Sequence, residues 1–249
     1  MDNGKLSTDL IPGQLRQLFE QAAHIGVPWD SATVDAAKKQ LKAILFEAQN
    51  GKCAYCRRMI SDEPGHVEID HILPKNPAGN QDHWGSNEAA HRRSTAGYAH
   101  FRFEPLNLAL ACKLCNNKKG THDGRKDRGV PSVQYELDDQ SYEWIHIYAH
   151  SYHDHIEILQ GLIYQVSNKS ACGDAVISVC KLDKVAAVER ASAELTAKTA
   201  KTVAVAVGRL IYQAELLGWD AIVEVVAEAF PQVGKAAVEN LASNFRALG

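Results

Sequence analysis

The residues able to do chemistry gather in one stretch of this chain. Cys53 and Cys56 form one C-x-x-C pair and Cys112 and Cys115 a second, with 55 residues between them. Such a turn sets two thiolates on one side of a tight knuckle, and two knuckles complete the four-sulfur tetrahedron that zinc prefers. The opening segment, Met1–Leu10, is polar and has no apolar signal core. That points to a cytoplasmic, reducing setting in which disulfides do not persist. Metal ligation is therefore the expected use of these four thiols. A Zn²⁺ closed by four thiolates leaves no position for water, so its role is structural. Cys172 and Cys180 have the wrong spacing for a third knuckle and read as small buried apolar residues among Val176, Ile177 and Val179.

Around the knuckles run Glu68-Ile69-Asp70-His71-Ile72-Leu73-Pro74-Lys75 and Asn107-Leu108-Ala109-Leu110-Ala111-Cys112-Lys113-Leu114-Cys115-Asn116-Asn117-Lys118-Lys119-Gly120. A neutral imidazole, with a pKa of about 6.5, takes a proton from water at neutral pH. Carboxylate and amide oxygens suit Mg²⁺ or Mn²⁺. Phosphodiester hydrolysis needs this combination: an activated water, charge neutralisation at phosphorus and help for the leaving oxygen.

As a set, these motifs resemble the HNH family of the His-Me finger (ββα-metal) nucleases, and most of all its four-cysteine, zinc-stapled subgroup. The resemblance covers about residues 50–125. It implies that His71 is the general base and that Asp70 binds the catalytic Mg²⁺ or Mn²⁺. It implies that Asn107 braces the loop carrying His71, and that Asn116 is the second metal ligand. Asn117 is the rival for that last role, one register step away. The family's namesake third residue is a histidine, so this chain reads H-N-N. Neighbouring residues of a strand point opposite ways, so Asp70 and His71 need a kink or bulge to serve one site; Pro74 is compatible with one.

The implied activity is a metal-dependent DNA endonuclease leaving 5′-phosphate and 3′-hydroxyl ends. Lys118, Lys119 and Arg128 are candidates to grip neighbouring phosphates. The layout also resembles small HNH nucleases of bacterial anti-phage defence systems, including those paired with an ATPase, which would make such an ATPase a protein partner. Two other readings compete: a zinc-stapled nucleic-acid-binding module without catalysis, and a nuclease directed at RNA.

Elements must hold this constellation. Leu15, Leu18, Phe19, Ala22 and Ala23 recur at helix spacing, as do Val34, Ala37, Leu41, Ile44, Leu45 and Ala48, with a possible cap at Ser31 and a stop at Asn50–Gly51. Residues 66–73 alternate as a strand, and Leu106–Ala111 is a second. Residues 75–100 read as a long loop, and a helix opens over Asn116–Lys119. Ser141–Tyr148 and Ile156–Val166 look like strands, the second with a turn near Gly161. Leu182–Gly218, Trp219–Phe230 and Val233–Leu248 are helix-patterned. The expected fold is α+β. A zinc-stapled ββα-metal finger at 51–130 lies between an N-terminal helical segment, 1–50, and a mixed, largely helical region, 131–249.

Composition agrees with a globular protein: 249 residues, 45% hydrophobic and 23% charged, with no apolar run near the ~20 residues of a membrane span. The net charge of −3 hides an asymmetry. Gly51–Val130 holds thirteen basic and nine acidic residues, a net +4, leaving −7 elsewhere. A basic centre in an acidic frame suits a phosphate-facing module. His146, His150, His153 and His155 read as a solvated patch, and His83, His91 and His100 as ordinary loop residues. Arg57–Arg58 and Arg92–Arg93 are either phosphate contacts or a solvated face.

Overall fold

The computed structural model describes residues 4–61, 63, 65–159, 163–184, 187, 198–199, 201–207 and 218–246. Helix α1, Gly13–His24, starts behind Pro12 and buries Leu15, Phe19 and Ala22 at helical spacing. A single 3-10 turn, Ala32–Val34, capped by the Ser31 hydroxyl, leads into α2, Asp35–Ala48, which buries Ala37, Leu41 and Leu45. The helix stops where Asn50 and Gly51 both adopt positive φ, 54° and 62°.

Strand β1, Val67–His71, pairs antiparallel with β2, Leu108–Cys112, placing Asp70 opposite Ala109 and His71 opposite Leu108. Helix α3, Lys113–Lys119, follows β2 at once, with the Cys112 sulfur as its cap, accepting from the Cys115 amide at 3.4 Å. Both boundaries differ from the sequence reading. Pro105–Asn107 forms a 3-10 turn capped by Glu104, so β2 begins at Leu108; α3 begins three residues early because the second knuckle is its first turn. Two strands alone are marginal in water. Here the free edge of β2 is covered: the Gln49 side chain accepts from Leu110 N at 2.8 Å and donates to Leu110 O at 2.9 Å.

Beyond residue 131 the expected strand Ser141–Tyr148 is absent. Among the described residues an isolated bridge, Arg125 to Tyr142, and a hydrogen bond from Leu6 N to Ile147 O at 2.7 Å pair this segment, with no ladder. Tyr142 and every residue from Trp144 to Ala149 are buried without alternation. Lacking a neighbouring ladder, the segment runs as turns whose side chains fill the interior on both sides. The second strand reading resolves into a hairpin, β3 Ile156–Leu159 and β4 Ile163–Val166, preceded by the single turn α4, Tyr152–His155. Gly161 lies outside the described residues. Helix α5, Ala171–Cys180, is capped by Ser170 and lays Cys180 beside the Cys115 carbonyl.

The chain divides into two compact units, Met1–Lys184 and Val185–Gly249. Residues 131–184 thus share a unit with both knuckles. The second unit contains α6, Trp219–Ala229, and α7, Lys235–Arg246, packed with Val203 and Val207 around Ile222, Val223, Val226, Val238 and Ala242. Most of the helix expected over Leu182–Gly218 lies outside the described residues. Among the described residues the architecture is mixed α+β with two small sheets. Among the described residues no helix is long and apolar enough to cross a membrane.

Candidate active site and metal centre

The four knuckle cysteines converge. Their sulfurs all lie within 4.8 Å of one another, with Cys56 and Cys112 at 3.9 Å. Sulfurs bonded tetrahedrally to zinc at about 2.3 Å stand about 3.8 Å apart, so the cluster has the size and donor set of a structural zinc site. The thiols already polarise one another. Hydrogen bonds from Cys115, Cys53 and Cys56 pull the Cys112 thiol down, and the contact with Cys112 pushes Cys56 and Cys115 up. Held as thiolates at this spacing, the four sulfurs would need a cation between them.

Tyr55, between the first two ligands, reaches from the knuckle to β1. Its hydroxyl donates to Asp70 Oδ2. Lys119 Nζ, at the end of α3, lies 3.1 Å from Asp70 Oδ1 and donates to the His71 carbonyl at 2.7 Å. Asp70 is 5% exposed and Lys119 1%. Burial pushes the Asp70 carboxyl up, opposed by the Lys119 charge and the Tyr55 hydrogen bond. Burial and the same carboxylate push the Tyr55 phenol far up, so it stays a donor.

His71 closes β1. Its Nε2 lies 3.0 Å from the Arg102 carbonyl, and the ring packs against the edge of Trp29, centroids 4.5 Å apart. A carbonyl only accepts, so Nε2 carries the proton and Nδ1 of the neutral ring offers a lone pair. Burial, then the Lys75 charge, lowers its pKa to about 3, against the Arg102 hydrogen bond. Asn107 is fully buried and holds the segment after His71: Oδ1 accepts from Leu73 N at 2.7 Å, and Nδ2 donates to Leu73 O and Phe101 O, both at 3.2 Å. Tyr135 Oη reaches the same Oδ1 at 3.1 Å and lies 2.7 Å from His146 Nε2.

β1 stops at His71 and the chain bends over Ile72–Leu73. Asp70 and His71, which alternation would set apart, therefore both line one cleft of about 200 Å³, together with Lys75, Asn76, Asn116 and Thr121. Asn116 enters from α3; its Nδ2 donates to Glu68 Oε2 at 2.6 Å, leaving Oδ1 as an oxygen donor. Asn117 is exposed and is not part of the cleft wall. Asp70 and Asn116 offer the hard oxygens that Mg²⁺ or Mn²⁺ takes, so the donor chemistry fits such an ion.

Over 90 residues the chain is 32% identical to the Septu protein PtuB of Bacillus thuringiensis. The match covers 36% of this chain and 27% of that protein, so the chain spans about a quarter of the curated relative it matches. No family model matches the sequence, and no solved structure matches it.

Two expected phosphate contacts are corrected by burial. The Lys119 ammonium is committed to Asp70 and the His71 carbonyl. Arg128, 6% exposed, donates to Ser86 O and Trp84 O, each at 2.9 Å, and lies 3.3 Å from Asp123. Lys118 is half-buried. The histidine patch is also corrected: His146 and His150 are buried, and His150 Nδ1 accepts from His146 N at 3.0 Å. Sequence reasoning misses Tyr55, Trp29, Tyr135 and His146 as parts of the site. Only Tyr55 carries a local signal, a polar aromatic inside a metal knuckle; the others reach it across long stretches of chain.

Proposed function

We propose that this protein is a metal-dependent endonuclease of HNH type, hydrolysing phosphodiester bonds in DNA, and that it serves anti-phage defence. The observation that carries the reading is the shared cleft of Asp70, His71 and Asn116. The likeness to the Septu protein PtuB supports this setting, and the resemblance to defence nucleases paired with an ATPase makes such an ATPase the proposed protein partner.

His71 Nδ1 accepts the proton of an attacking water, while the Nε2 hydrogen bond to the Arg102 carbonyl holds the tautomer and ring orientation. The low pKa keeps the ring neutral, and an anionic substrate opposite it would raise its basicity toward the working range. Asp70 and Asn116 would hold one divalent ion, which when bound supplies charge neutralisation at the phosphate and the leaving 3′ oxygen. Asn107 braces the Ile72–Leu73 bend that follows His71 and makes no claim on substrate. Trp29 and the Arg102 carbonyl keep the ring from turning. The zinc would staple a finger whose two strands and two-turn helix have too small a core of their own.

The test is plasmid nicking with Mg²⁺ or Mn²⁺, run in parallel on RNA. Wild-type protein is expected to nick DNA, and His71→Ala to lose at least about 10²-fold in rate with zinc content unchanged. A folded, zinc-loaded wild type that cuts nothing under either metal overturns the nuclease reading in favour of a binding module. Preference for RNA would move the substrate class. Purification from the native host with no ATPase or other protein attached would count against the defence assembly.

A further inference from the structure

The cleft has a chemical bias that the metal ligands do not explain. Of the residues lining it, two carry charge, Asp70 and Lys75. Asp70 is paired once at each oxygen, with Tyr55 and with Lys119, which leaves each oxygen a lone pair for a metal ion. Lys75 has no hydrogen bond or ion pair among the described residues, and its side chain is half-buried at the rim. Lys118 also has no side-chain partner among the described residues but does not line the cleft; the remaining cations nearby are committed to protein acceptors. Arg93 donates to the Lys118 and Lys119 carbonyls at 2.6 and 3.0 Å, capping α3. Arg92 pairs with Glu143 and donates to the Asp123 carbonyl at 3.1 Å. Lys119 and Arg128 are buried.

Lys75 also stands on a rigid arm. Pro74 fixes its own φ and accepts from Tyr98 N at 2.7 Å. Ala78 and Thr95 exchange two backbone hydrogen bonds, at 2.8 and 2.9 Å. Gly97, at φ +75°, presses so closely that a Cβ there would lie 2.4 Å from the Asn76 carbonyl carbon. An ammonium held at the mouth of a polar cleft, with no partner inside the protein, is an anion site whose arm is already ordered.

We infer that Lys75 is a substrate-contacting catalytic residue, its ammonium binding a non-bridging oxygen of the phosphodiester that lies over His71 and Asn116. This rests on the nuclease reading and supplies the phosphate contact that Lys119 and Arg128 cannot. The contact neutralises charge that grows toward the transition state, so it acts on turnover as well as on binding.

The experiment compares wild type with Lys75→Met, Lys75→Arg and, as a charge control on the exposed face of α2, Lys39→Met. Binding of a fluorescein-labelled DNA duplex is measured across salt concentrations with Ca²⁺ in place of Mg²⁺, and nicking is measured with Mg²⁺. Lys75→Met is expected to lower the salt slope by about one relative to wild type. Nicking should fall about 10- to 10²-fold, Lys75→Arg should recover most of it, and Lys39→Met should match wild type. Zinc content and melting temperature should be unchanged throughout, since the Lys75 side chain holds nothing in place. A Lys75→Met slope equal to that of wild type, with nicking within twofold, overturns the assignment while leaving the nuclease reading standing. A wild type that binds DNA but never cuts overturns the nuclease reading, and the slope still judges Lys75. A wild type that does not bind DNA at all overturns both.

Discussion

The Tyr55 hydroxyl, carried inside the first cysteine knuckle, donates to the Asp70 carboxylate on β1. The four-cysteine cluster and the candidate catalytic cleft are therefore one hydrogen bond apart, through a fully buried side chain. Whatever orders the knuckle also orders Asp70.

Removing that bond should be felt in stability before it is felt in zinc. Tyr55→Phe leaves the ring packed against Trp144, 5.2 Å away between centroids, but deprives a buried carboxylate of a donor. The expected cost is about 1–3 kcal/mol, read as a lower denaturant midpoint with zinc content by elemental analysis unchanged. Loss of zinc in this variant would mean that the phenol is needed to build the knuckle.

Lys119 and Asp70 form a buried pair, so breaking it from either side should be severe. Lys119→Met and Asp70→Ala are each expected to destabilise the fold by about 3–5 kcal/mol, whereas Lys118→Met should change it by no more than about 0.5 kcal/mol. Urea unfolding of the three variants checks this. Equal stability of Lys119→Met and wild type would show that the pair is not formed. Asp70→Ala is consequently a poor probe of metal binding, and Asn116→Ala, at a half-buried position, is the clean one.

Cys53→Ser or Cys112→Ser should release zinc and unfold the finger. The reason is energetic: apparent zinc binding in small fingers is on the order of 10–16 kcal/mol, and a two-stranded sheet has little else to hold it. Elemental analysis and circular dichroism report the outcome. Unchanged zinc and melting in either variant would refute the staple.

Buried histidines set an acid limit on stability, and His122 and His146 show it away from the cleft. Burial lowers both His122 and His146 to about 3. The unfolded chain binds these protons at about 6.5, so between roughly pH 6.5 and 3 it carries more protons than the folded chain. Stability from these groups is full above that window and is lost as pH falls through it, by up to about 1.4 kcal/mol per pH unit for each. His122 Nε2 has no hydrogen-bond partner among the described residues, so His122→Phe removes the proton linkage with little else. Its unfolding free energy should fall less steeply than that of wild type from pH 6.5 to 4; identical slopes would mean that His122 titrates normally.

Much of the site is legible in the sequence because it rests on covalent spacing. Two residues between cysteines suffice to form a knuckle, and the Asp70-His71 and Asn116 motifs sit at short, fixed distances from strand and helix ends. The amphipathic patterns of α1 and α2 are legible for the same reason, since period and stop signals are local. Local pattern misleads where burial decides. Ser141–Tyr148 alternates like a strand, yet no ladder lies beside it, and both sets of side chains go inward. His146, within that segment, becomes the far end of the brace on Asn107.

The sequence by itself determined which atoms can ligate, accept protons and carry charge, and the order in which strand, strand and helix follow. Tertiary structure alone decided which of the cations remain available. Lys119 and Arg128 look no different from Lys75 in composition, but two are drawn inward by buried carboxylates and carbonyls, and Lys75 stays at the mouth of the cleft. An ion pair between Asp70 and Lys119 joins residues 49 positions apart, and local pattern carries no information about a contact at that range.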